Sequence, residues 1–131
     1  MQPIDVTKAV FEAFGRGDID AILARLHDKV EIEFYGPPVI PYARHYKGPA
    51  EARRFFETVL SSVDIHQFEP QEFICERDKV VVTGHLRLTA RATGRPIESD
   101  FVHVITVADE KWLRFRDFMN TAVAAAAFQP E

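Results

Sequence analysis

Two hydrophobic periods alternate along the chain, and their order lays out the fold. Val6, Val10, Ala13 and Phe14 recur at helical spacing, with Pro3 at the start and Gly15 and Gly17 at the end, and predict a first helix. Asp18 is a ready N-cap for a second helix whose Ile19, Ile22, Leu23 and Leu26 share a face. "KVEIEFY" then switches to period two, with Val30, Ile32 and Phe34 on one side and Glu31, Glu33 and Tyr35 on the other. "GPPVIPYARHYKGP" carries four prolines and two glycines and predicts a long ordered loop, a feature that is uncommon in compact domains and often functional. Pro49 opens a third helix with Ala52, Phe55, Phe56, Val59 and Leu60 as its apolar face.

After residue 63 the pattern is strand throughout. Segments near 65–75, 79–91, 97–107 and 112–121 are separated by the turn signals "ERDK", "ATGRP" and "ADEK", and such short connections imply antiparallel hairpins. In the tail, "AVAAAAF", alanine favours helix while the position continues a strand. Helices first and strands afterwards predict an α+β fold. The expected architecture is a cone-shaped, strongly curved, mainly antiparallel sheet wrapped around three helices of the N-terminal half and enclosing a pocket. No repeat or linker interrupts residues 1–131, so a single domain is expected.

Polar residues that break the apolar rows are the candidates for chemistry. Leu113, Phe115 and Met119 alternate as a buried face, and Asp117 falls into the same row. A carboxylate there must be paired, hydrogen-bonded or protonated, because burying it alone is expensive. Arg114 and Arg116 have the opposite parity, which leaves Arg53, Arg54, His85 or His103 as partners from other elements. His103 stands among Phe101, Ile105 and Val107, while Val102 and Val104 load the other face, so this strand is expected to be buried on both sides. Each of the two residues has a structural reading, a satisfied core pair, and a functional one, an acid or base facing a pocket. His85 shares its row with Thr83 and Arg87, on the wetter or subunit-contacting face. Tyr35, Tyr42, His45 and Tyr46 are placed to ring a pocket mouth or to anchor the loop. Asn120 either ends the last strand or donates a hydrogen bond into the pocket.

Composition narrows the classes. The net charge of −4 leaves no basic footprint for nucleic acid. Cys75 is the only cysteine, so an intrachain disulfide is excluded. No membrane-length apolar run and no secretory leader pattern are visible, and a cytoplasmic protein without membrane contact is expected. The glycine patterns of nucleotide-binding loops, zinc-ligand spacing and a nucleophile elbow are all missing, so no cofactor and no metal are expected.

The segments "GRGDIDAILARLHDKVEIEFYGPP", "HYKGPAEARRFF" and "DKVVVTGHLRLTARATGRPIESDFVHVITVADEKWLRFRDFMNTA", in this order, resemble the SnoaL-like family of the nuclear transport factor 2-like superfamily. Relatives include ketosteroid isomerases, polyketide cyclases and limonene epoxide hydrolases. The resemblance implies a cone with a deep pocket and a homodimer through the outer sheet face. Asp117 in "DFMNT" matches the first acid of the relatives' last-strand pattern, and Asn120 stands at their usual Asp position. His103 in "ESDFVHV" matches a frequent pocket residue.

Two functions are therefore expected. In the first, the protein is an isomerase- or cyclase-like enzyme moving a proton on a small apolar carbonyl compound. Asp117 and His103 serve as acid and base, Tyr35 as oxyanion donor, and residues 36–47 as a lid. Tyr42, His45, Phe101, Phe115, Met119 and Asn120 bind the ligand. The second is a non-catalytic module that binds a hydrophobic ligand or supports dimeric assembly. Epoxide hydrolysis would need Asp100, Asp117 and Arg53 to converge on one water.

Overall fold

The structure, a computed structural model, describes residues 1–130. Helix α1 (Pro3–Gly15) and the single-turn α2 (Ile19–Leu23) lead into strand β1 (Leu26–Phe34). After a loop, the short β2 (His45–Lys47) pairs with β1 and runs into α3 (Gly48–Ser62). Strands β3 (Val63–Glu76), β4 (Lys79–Ala90), β5 (Pro96–Ala108) and β6 (Lys111–Met119) follow, and α4 (Thr121–Phe128) ends the chain. One six-stranded sheet runs in the order β2-β1-β6-β5-β4-β3, antiparallel except where β1 lies parallel to β6. The fold is thus α+β, a curved sheet with three helices in the N-terminal half, as the hydrophobic pattern predicts.

Local chemistry explains the boundaries. Asp18 caps α2 by accepting from Ala21 N at 3.1 Å. The alanine-rich tail is a helix, because Asn120 caps it by accepting from Val123 N, at 3.3 Å, and the Arg95 guanidinium donates to the carbonyls of Ala126 and Gln129 at its far end. Within the proline-rich loop, Ile40 N bonds Pro37 O and Ala43 N bonds Ile40 O, while Phe34 N bonds Arg44 O and closes its base. Part of the segment read as loop is therefore β2, recruited by the open edge of β1.

The core lies between the helices and the inner sheet face. Val30, Ile32 and Phe34 of β1 and Phe101, Ile105 and Val107 of β5 point into it, matching the alternation of the sequence. Trp112 has the wrong parity for the row of Phe115 yet is only 1% exposed. A register shift between Thr106 and Val107 against β6 turns Trp112 inward, and its indole N–H donates to Thr7 at 3.1 Å. Gly84 lets the Phe101 ring lie flat on the sheet: a Cβ there would come within 2.5 Å of Phe101 Cζ and collide with Glu69 O.

The outer face departs from expectation. Strand β5 is not buried on both sides, since Val102 is 37% exposed. Among the described residues no element covers that face, and Tyr35 and Phe118 stack there at 5.0 Å.

Candidate functional site

Directly opposed residues build the center of the inner face. His103 pairs in register with Asp117 across β5 and β6, flanked by Phe101 opposite Met119 and Ile105 opposite Phe115. Facing side chains on an antiparallel pair come close enough to interact, and His103 Nε2 lies 3.2 Å from Asp117 Oδ1. The carboxylate found in the apolar row thus has a buried partner, and of the cations open to it on sequence grounds that partner is His103.

Four phenyl rings enclose the imidazole. Phe101 stacks on it at 4.4 Å and Phe115 meets it edge-on at 4.8 Å, with Phe11 at 5.6 Å and Phe68 at 6.0 Å. Its Nδ1 is buried and has no hydrogen-bond partner. A bare lone pair costs less there than an unpartnered N–H, so in the neutral ring the proton belongs on Nε2, directed at Asp117.

Asp117 and His103 both line a cavity of about 70 Å³. Its walls are otherwise apolar, including Val10 of α1, Phe34 of β1, Phe55 and Val59 of α3, and Phe115 and Met119 of β6. Tyr42 brings the third polar group. Its ring packs edge-on against Phe34 at 4.9 Å and Phe128 at 5.9 Å, and its carbonyl accepts the Tyr46 hydroxyl at 2.9 Å. Burial, and then the Asp117 charge, hold the Tyr42 hydroxyl well above its ordinary range, so it remains a hydrogen-bond donor at neutral pH.

The expected site residues therefore divide. Asp117, His103, Tyr42, Phe115 and Met119 come together at the cavity. Phe101 lies behind the imidazole rather than on the cavity wall. Tyr35 is 41% exposed on the outer face and donates to Glu33 Oε2 at 2.8 Å. The expected oxyanion donor is thus turned away from the cavity, because the parity that sends Phe34 inward sends Tyr35 out. His45 is exposed and 2.8 Å from Glu31, across the β1–β2 pair. Asn120 is spent on capping α4. Asp100 and Arg53 do not converge on Asp117 either: Asp100 holds His85 at 2.8 Å, and Arg53 holds Asp20 at 2.6 Å. Epoxide hydrolysis by that trio has no geometric basis.

Tyr42 rather than Tyr35 is the tyrosine at the site. It lies in the proline-rich loop, where period carries no facing information, so its sequence signal was only its place among the aromatic residues of that loop.

A helix-lined, curved sheet around an apolar cavity defines the class as nuclear transport factor 2-like. The SnoaL-like domain matches residues 7–115, and the chain belongs to that family. A solved NTF2-like protein from Burkholderia xenovorans LB400 is 29% identical, with 97% of this chain and 95% of that one aligned at a TM-score of 0.89. Another, from Burkholderia thailandensis E264, is 26% identical over 99% of this chain and 100% of that one, at a TM-score of 0.88. TerC, co-crystallized with polyporic acid, is 27% identical over 96% of this chain and 97% of that one, at a TM-score of 0.81. No curated protein matches the chain. Among the described residues, no helix is long and apolar enough to cross a membrane.

Proposed function

We propose that the cavity binds a small apolar carbonyl compound and that Asp117 moves a proton on it, as in isomerisation or aldol-type cyclisation. The observation that carries this reading is the pairing of the cavity-lining carboxylate with a histidine, itself a proton-exchanging group, and not with an arginine or lysine. The carboxylate takes a proton from the carbon next to the carbonyl, the C–H electron pair becomes the carbon–carbon double bond of the enolate, and the carbonyl π pair moves onto the oxygen. The Tyr42 hydroxyl donates a hydrogen bond to that developing oxyanion. Asp117 then returns the proton at another carbon, or the enolate carbon attacks a second carbonyl of the same molecule and Asp117 gives its proton to the alkoxide oxygen that this forms. His103 orients the carboxylate through Nε2–H. The co-crystallization of TerC with polyporic acid supports a small-molecule site in this fold.

Deuterium exchange into the α-carbon of enolisable ketones, followed by proton NMR in heavy water, tests the reading. The wild type is expected to exchange faster than buffer, and Asp117→Asn to lose about 10²–10⁴-fold of that rate. Equal rates in both proteins would end the proton-transfer proposal. Binding of the ketone without exchange would leave the non-catalytic binding module.

An assembly role is favoured by a separate observation, the exposed Tyr35, Val102 and Phe118 on the uncovered sheet face. We propose a homodimer through this face. Sedimentation should show a dimer that Val102→Lys shifts toward monomer by at least about tenfold in dissociation constant; a monomeric wild type would exclude it.

A further inference from the structure

The cavity is too small for the ligands its walls would suit. A cavity of about 150 Å³ accepts benzene, so about 70 Å³ holds only a head of a few heavy atoms, such as an acetyl group. A second hollow of about 530 Å³ opens beside it, between the end of α1, Leu60 of α3 and the start of β3. Phe11, Phe14, Ile65 and Phe68 line both spaces, so these four side chains form the partition between them. Phe68 meets Phe11 edge-on at 5.7 Å and Phe14 at 5.4 Å, and all three rings are only partly buried. Such rings have room to turn, and their faces and edges match an aromatic guest. On the rim, Arg16 is neutralised by Glu12 at 3.3 Å and Asp18 at 3.8 Å, which among the described residues lining the hollow leaves no free cation to select an anion.

We infer that the two hollows take one uncharged ligand, an aryl ketone whose short carbonyl end enters the inner cavity while its aromatic body occupies the outer hollow. The inference rests on the carbonyl reading above and adds the substrate class. Phe11, Phe14 and Phe68 are then specificity-determining residues that grip the ligand at the neck. The acetyl end is brought to Asp117 and Tyr42, and the aryl group supplies the binding energy the small cavity cannot.

Binding of acetone, acetophenone and 4-acetylbiphenyl to the full chain, followed by amide and methyl chemical shifts, tests this. Affinity should rise at least about tenfold from acetone to 4-acetylbiphenyl as aryl surface is buried. Gly15 lines the outer hollow, and a Cβ there meets nothing within 4 Å, so Gly15→Phe adds a ring at the edge of the hollow without disturbing the core. It should cut the affinity ratio of 4-acetylbiphenyl to acetone by about tenfold. Ile65→Trp, from the strand side, should do the same. An unchanged ratio in both variants, or no gain from the aryl group in wild type, would overturn the inference. α-Proton exchange without an aryl gain would do so while sparing the proton-transfer reading, and an aryl gain without exchange would spare the inference alone. Failure of all three ketones to bind would overturn both.

Discussion

Two histidine–carboxylate groups sit on adjacent strands of the same sheet, on opposite faces. His103 meets Asp117 inside a ring of phenyls, with side chains 4% and 14% exposed. His85 meets Asp100 and Glu98 on the outer face, each at 2.8 Å, with those carboxylates 87% and 59% exposed. The residue types are the same, and strand parity alone separates them. Water screens the outer cluster, which satisfies both ring nitrogens and costs little to form or to break. The inner pair leaves Nδ1 unpartnered in an apolar wall, where each missing contact counts fully. A carboxylate and an imidazole can do proton chemistry in the second setting because the protein, not the solvent, decides what they touch.

The sharpest way to break the contrast is to disturb the floor under the imidazole. Gly84→Ala places a methyl against Phe101 and the rigid Glu69 carbonyl, so the ring stacked on His103 must lift. Overpacking of this kind is expected to cost about 3 kcal/mol, and to lower the thermal midpoint by about 10 °C in a chain this size. A midpoint near wild type would mean that the floor is loose and that the inner pair is not held by packing.

Somewhat smaller is the effect of breaking the pair itself. His103→Phe leaves Asp117 without its partner in an apolar cavity and should cost about 2 kcal/mol, less than a fully buried charge because the carboxylate is partly exposed. Asp117→Leu combined with His103→Phe should restore the stability to within about 1 kcal/mol of wild type, since apolar replacement of a buried pair is close to neutral. Denaturant unfolding of the single and double variants reads the coupling directly. Additive losses would show that the two side chains do not interact. Recovery of stability with loss of proton exchange would show that the pair is kept for function.

Parity explains what was legible before the structure and what was not. The rows of Val30, Ile32 and Phe34, and of Phe101, His103 and Ile105, lie inward as their period requires, and Asp117 is where its row places it. The stripes of the first and third helices are equally faithful, because a packed face must repeat every three to four residues, whereas Leu26, expected on the second helix, begins β1 because that helix ends at Leu23. Trp112 escaped because a register shift reverses parity locally. Val102 and Val104 were read as buried, but an apolar residue does not reveal whether its cover belongs to the same chain. Tyr42 and Tyr35 could not be ranked from the sequence: one is in a loop shaped by turns, and the other is the next residue after an inward Phe34. The neck of Phe11, Phe14 and Phe68 joins α1 to β3, and no local pattern records a meeting of that kind.

The outer cluster offers the smallest and most selective measurement. Hydrogen bonds to Asp100 and then to Glu98 raise the His85 imidazole above its usual value near 6.5. A raised value in the folded state means that protonated His85 contributes stability below the unfolded value, and that this contribution is lost as pH rises through the folded one. Asp100→Asn removes the larger cause, so the ring should titrate lower while unfolding at neutral pH barely changes. High salt should act in the same direction, because both carboxylates face water. Proton NMR of the imidazole across pH 5–9 reads both effects. If Asp100→Asn lowers the titration while salt leaves it unmoved, the outer cluster is shielded in solution, as it would be beneath a second copy of the chain on the exposed sheet face. The contrast between the two faces would then be one of partner, and no longer one of solvent.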